Sequence, residues 1–373
     1  MKIIALCIPV VLVFLAQLRK KSKMLALILC FYMWLIYSFN TYNGDFWNYY
    51  TIYNFVRIGV LKWHFEPLYS ILMQLCAFTG MNYFGFKATL GLIYILLLYK
   101  LFSCYSKAPT LALSLFLIFP FLHNVSVLRA GISGLIVCLA FCRYTEKRSH
   151  AKARYLAGIL VASMFHYSSF FFAVMVLFEK IKKPKRVFAV SALLSAVLMF
   201  TIYSGIALRV LGIITARVKS LQWLSAVLSP HLNVIGMTCV ALIFVGNYVL
   251  SRLCLREIRH YSSEDNQKYL VLANRVNTAN CALFIVLPFA LMTDVLLCYV
   301  FEFMGVNICT FATASVVRSE HRNLRWEFSY KRFILLLWVF LLLIYTTLPY
   351  LKTDISAFHS LYNNLAFGQK VPF

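Results

Sequence analysis

The chain has 373 residues, 62% of them hydrophobic and only 13% charged, with a mean hydropathy of +0.79. A soluble domain of this size does not need so much apolar sequence, and repeated apolar runs long enough to cross about 30 Å of hydrocarbon predict an all-α, polytopic integral membrane protein. A net charge of +24 would suit nucleic acid in a soluble protein. Here the Lys and Arg residues gather between apolar runs, as cytoplasmic loops do, and no nucleic-acid partner is expected.

Clusters at 19–23, 100–107, 143–154, 180–186, 252–268 and 318–332 hold most of the 36 basic residues. Placing each in the cytoplasm threads the chain. Residues 1–18 could pass for a signal peptide, but their positive cluster follows the apolar run, which suits a first span with its N-terminus outside. Span 1 (3–18) enters and span 2 (24–40) exits. Residues 41–83 then form an outer segment crowded with aromatics, including Tyr42, Phe46, Trp47, Tyr49, Tyr53, Trp63 and Tyr69. Such rings collect where a membrane protein meets water. Within it, 67–79 is too short to cross. Leu68, Ile71, Leu72 and Leu75 recur at helical spacing behind Pro67, so an amphipathic helix in the outer interface is expected.

Span 3 (84–102) returns inside, span 4 (110–122) exits, and span 5 (127–142) enters. Residues 155–178 are apolar yet flanked by basic clusters on both sides, which one crossing cannot satisfy. A helical hairpin with His166 at its tip is predicted. Irregular backbone at membrane depth is tolerated only in protein or beside a watery cavity, so the tip should border one. Span 6 (187–204) exits to a second outer segment (205–232). Spans 7 (233–251), 8 (271–291), 9 (295–315) and 10 (333–350) complete about ten crossings and leave the tail 351–373 outside. With no repeat and no soluble insertion, 1–373 reads as one membrane domain. The eleven Cys are scattered through apolar runs and read as small core hydrophobes, with neither a disulfide frame nor a zinc site.

Ionisable groups in or beside spans are costly unless they have a partner or a task. Asp45 and Glu66 flank the aromatic stretch, Arg129 lies one turn into span 5, His166 is at the hairpin tip, and Arg209 and Arg217 lie in the second outer segment. All fall toward the outer side. Bland readings exist for each: Glu66 can be only the start of a helix, and His166 a satisfied buried histidine. Asp45 can be a helix N-terminal carboxylate, Arg129 can snorkel to headgroups, and Arg209 and Arg217 can bind lipid phosphate. Arg275, Asp294 and Glu302 are further ionisable residues in or near spans 8 and 9, and Arg275 and Asp294 can form a structural pair.

Together the outer residues suggest a chemistry. Arg129 and His166, with Arg209 and Arg217, suit a phosphate or pyrophosphate. Tyr49, Tyr53 and Trp63 suit the faces of sugars, whose hydroxyls the carboxylates accept. A substrate needing all of these is a polyprenyl-pyrophosphate-linked oligosaccharide, and the matching reaction is glycosyl transfer. Asp45 or Glu66 serves as base while Arg129 and His166 stabilise the departing pyrophosphate. No metal or cofactor is called for, and no DxD, Walker A or GxSxG motif is present.

The order of these features resembles the EpsG-like branch of the Wzy-type bacterial polysaccharide polymerases. Asn43-Gly44-Asp45-Phe46-x-x-Tyr49 is similar to the family's Gly-x-Asp-Tyr-x-x-Tyr, with Phe65-Glu66-Pro67-Leu68-Tyr69 following. Leu128-Arg129-Ala130-Gly131-Ile132 is similar to its Arg-Gln-Gly-Leu-Ala, although Ala130 stands where the family has Gln. Phe165-His166-Tyr167-Ser168-Ser169 is similar to its Phe-His-x-Ser-Ala, and Val371-Pro372-Phe373 to its closing Pro-aromatic. The match covers residues 25–180, and beyond them only hydropathy agrees.

The resemblance implies joining of undecaprenyl-pyrophosphate-linked repeat units into O-antigen or exopolysaccharide on the periplasmic side of the bacterial inner membrane. It also implies a chain-length regulator as partner and, by analogy, a GT-C-like membrane glycosyltransferase fold. A flippase or transporter for the same lipid-linked oligosaccharide is the alternative. A membrane acyltransferase is a weaker one, because His150 has only Glu146 nearby in its loop.

Overall fold

The computed structural model describes residues 2–41, 45–146, 149–180, 184–204, 209, 234–261, 263–287 and 303–321. Its elements are helical. They are α1 (Lys2–Leu18), α2 (Lys23–Phe39), α3 (Phe46–Arg57), α4 (Pro67–Phe78), α5 (Tyr83–Tyr105), α6 (Pro109–Phe116), a π-turn (Leu117–Phe121) running into α7 (Leu122–Asn124), and α8 (Leu128–Thr145). Then follow α9 (Ala151–Ser163), a 3-10 arm (Tyr167–Lys180), α10 (Pro184–Tyr203), α11 (Val234–His260), α12 (Gln267–Leu283) and α13 (Met304–His321).

Local chemistry sets several of these boundaries. Ser22 caps α2 by accepting the Leu25 N–H at 3.3 Å, and Asn82 caps α5 by accepting the Gly85 N–H at 2.9 Å. Pro67 occupies the first turn of α4, where its missing N–H leaves nothing unpaired. The 23 residues of α5 span about 34 Å, enough for a bilayer core.

Among the described residues, Tyr83–Tyr105, Leu128–Thr145 and Pro184–Thr201 are long and apolar enough to cross a membrane, and six shorter apolar helices accompany them. This gives the helical, membrane-type character read from the sequence. Some boundaries differ from expectation. Span 4 is broken by the π-turn, span 7 extends to His260, and the helix assigned to span 9 starts only at Met304. Span 10, the tail and most of 205–232 lie outside the described residues.

The helix α8 is the centre, packed against α5, α9 and the 3-10 arm. Gly158 lets α9 approach, because a Cβ there would lie 2.6 Å from the Cβ of Ala140. Residues 155–178 double back at 164–166, and the Tyr155 hydroxyl donates to Phe172 O at 2.8 Å across the two limbs. By contrast α10 leaves Leu193, Val197 and Phe200 exposed, an outward apolar face fit for lipid. On α4, Tyr69, Met73 and Cys76 are buried while Ile71, Leu75 and Phe78 face outward, so both of its faces are apolar.

Candidate functional site

Glu66 stands just before α4, at its N-cap position, yet its side chain does not cap that helix. It reaches instead into the protein, where it is 3% exposed. Arg129 Nη1 donates to Oε2 at 2.5 Å. Oε1 accepts the backbone N–H of Tyr167 at 3.2 Å and pairs with His166 Nδ1 at 3.1 Å. Three segments far apart in sequence therefore meet on one carboxylate. The junction is reinforced by the Leu68 N–H, which donates to Met164 O at 3.0 Å and fastens the start of α4 to the turn bearing His166.

The guanidinium of Arg129 is held on three sides. Its Nε donates to the Tyr49 hydroxyl at 3.2 Å, and its carbon lies 4.3 Å from the centre of the Phe65 ring. Burial alone raises the Glu66 carboxyl, but the His166 hydrogen bond and the charge and hydrogen bond of Arg129 outweigh it, bringing the group down to about 2. An ionised carboxylate only accepts, so His166 Nδ1 carries the proton in this contact and Nε2 is the ring nitrogen left for a ligand. Arg129 and His166 keep 23% and 21% of their side chains accessible. What the cluster presents outward is therefore cationic, with its anion sealed behind.

Asp45 lies at the N-cap position of α3 without capping it. Burial raises its carboxyl above the ordinary carboxylate range, and the Arg129 charge pulls partly against this. It is thus an electrostatic neighbour of the cluster, with a heightened capacity to hold a proton.

Glu66, expected as base or hydroxyl acceptor, has both its oxygens occupied and a low proton affinity. Tyr53 offers no face to a sugar, being fully buried with its hydroxyl on Met81 O at 3.0 Å and its ring stacked 4.7 Å from Phe86. Tyr49 is also buried, and it supports Arg129. Trp63, 60% exposed, lies in the loop before Glu66. Arg209 is exposed and has no described contact with the cluster, while Arg217, Asp294 and Glu302 fall outside the described residues.

One residue of this region was missed in the sequence. Lys87, one turn into α5, is fully buried, with Nζ 2.9 Å from Asn40 O and lying over the rings of Phe46 and Tyr83. A lone Lys inside an apolar run was the available signal. It ties the end of α2 to the start of α3, and so fixes where the chain departs toward Asp45.

The EpsG family model matches residues 23–356, most of the chain. No curated protein and no solved structure matches it. The match extends well past the 25–180 region in which the motifs lie and takes in the helices of the C-terminal half. The chain belongs to the EpsG family, whose members are Wzy-type polymerase-like proteins.

Proposed function

We propose that this protein joins undecaprenyl-pyrophosphate-linked oligosaccharide units into O-antigen or exopolysaccharide at the periplasmic face of the bacterial inner membrane. About ten spans in a GT-C-like arrangement carry the site in this reading. A chain-length regulator is its partner. The observation that carries the proposal is the convergence of Arg129 and His166 on Glu66, which leaves a cationic, partly accessible surface beside Asp45.

In the reaction, Asp45 takes the proton of the acceptor hydroxyl. The acceptor oxygen forms a bond to the anomeric carbon of the growing chain. The bond from that carbon to the pyrophosphate oxygen breaks, and its electron pair leaves with the pyrophosphate. Arg129 donates to the developing charge, and His166 adds to this in its imidazolium form, in which Nε2 also carries a proton. Glu66 holds the Arg129 guanidinium and the His166 imidazole in place, and Trp63 stacks on sugar.

The test is the surface polysaccharide of a deletion strain, run on a gel with and without plasmid-borne wild type and His166→Ala. A ladder lost on deletion, with single units still at the surface, and restored by wild type alone supports the proposal. Units trapped inside the cell support the flippase instead, and an unchanged ladder overturns both readings.

A further inference from the structure

Arg129 and His166 sit on different elements, so their separation has to be set by something between them. The turn bearing His166 closes on the carbonyl oxygen of Ala162, which accepts the backbone N–H groups of Phe165 and His166, each at 3.0 Å. A third donor reaches that oxygen from α8, the Ser133 hydroxyl at 3.0 Å. Ser133 is one helical turn beyond Arg129 and lies on the same face. Its oxygen is also in short hydrogen-bond contact with the hydroxyl of Ser169, three residues after His166.

Both hydroxyls are fully buried. Ser133 has one hydrogen, and with it given to Ala162, Ser169 is the donor to Ser133. Other hydroxyls in these helices bond back to their own turn, as Thr145 does to Cys142 O and Ser163 to Leu160 O, both at 2.7 Å. Ser133 reaches across to a different element.

We infer that Ser133 is a positioning residue: through Ala162 O it fixes the His166 imidazole relative to the Arg129 guanidinium. This rests on the polymerase reading above. Its hydroxyl touches no ligand-facing surface and acts only through His166.

The test uses the full chain in proteoliposomes with purified pyrophosphate-linked repeat units, comparing wild type, Ser133→Ala, His166→Ala and the double variant. Ser133→Ala is expected to lower kcat/KM by up to about a hundredfold, mostly in kcat, as misplacement of a reacting group does. In the His166→Ala background it should remove nothing further. Losses that multiply in the double variant, or an unchanged kcat in Ser133→Ala, overturn the inference while leaving the polymerase reading intact. No polymer from wild type, or full activity in His166→Ala, overturns that reading and the inference with it. If Ser133→Ala does not insert, Ser169→Ala takes its place in the cycle. A smaller loss, again absent in the His166→Ala background, supports the link, and a multiplying loss overturns it.

Discussion

The ammonium of Lys87 donates to the carbonyl oxygen of Asn40, 47 positions earlier, at 2.9 Å in the buried end of the helix pair α2 and α5. Asn40 is the C-cap of α2, so the cation sits where the helix dipole is negative. Lys87→Met keeps the length and removes the charge, leaving the Asn40 carbonyl buried without this donor. The expected loss is about 1–3 kcal/mol of stability, read as a lower midpoint of thermal unfolding in detergent. An unchanged midpoint would show that the cap contributes nothing.

Glu66→Gln tests the shared carboxylate. The amide keeps the shape but gives up the charge that holds Arg129 and His166. Insertion should persist while polymerisation falls on the order of a hundredfold. Polymer of normal length from this variant would remove Glu66 from the site.

Acid titration follows from the same group. Its folded carboxyl is depressed to about 2 from an ordinary 4.5. The stability it contributes is therefore full above pH 4.5 and is lost as pH falls through this window toward 2. Thermal midpoints of wild type should drop between pH 5 and pH 3 by more than those of Glu66→Gln; parallel curves would contradict the assignment.

Tyr49→Phe removes only the hydroxyl that accepts from Arg129 Nε, since the ring packs on Phe65 and Tyr69. A net hydrogen bond of this kind is worth about 1 kcal/mol, or roughly fivefold in kcat/KM. Tyr53→Phe, by contrast, should lower stability by a similar amount and leave polymer length untouched. Shortened polymer from Tyr53→Phe would return that residue to the site.

Gly158→Ala places a methyl against Ala140, prying α9 from α8 and destabilising the protein by about 1–3 kcal/mol. Ala140→Gly in the same chain should restore much of the loss. Failure of that rescue, measured by thermal unfolding, would mean that the two helices do not meet there.

Much of this was legible in the residues themselves. Pro67 and the spacing of the leucines after it mark α4 almost to its last residue, because a proline start and a 3.6-residue period are local signals. Asp45, Glu66, Arg129 and His166 stood out because charge is conspicuous in apolar sequence. Their joint geometry was not legible. Nothing local to Glu66 indicates that it serves Arg129, 63 positions away, and His166, 100 positions away. Tyr53 looked like a twin of Tyr49, since both face one side of α3, and only packing separates a core ring from a support for Arg129. Lys87 was overlooked because a single Lys one turn into an otherwise apolar span resembles a group that snorkels to the interface.

Because Glu66 already balances the Arg129 guanidinium, the cluster sets a threshold of charge on whatever enters. The exposed guanidinium keeps its donors but loses much of its pull to the carboxylate sealed behind it, so a singly charged phosphodiester gains little, whereas a multiply charged pyrophosphate is still held. A site bathed in anionic phospholipid can in this way stay unclogged by its own solvent. Raising the phosphatidylglycerol content of proteoliposomes should leave the rate of the wild type unchanged but slow Glu66→Gln further, and equal inhibition of both would dismiss the idea.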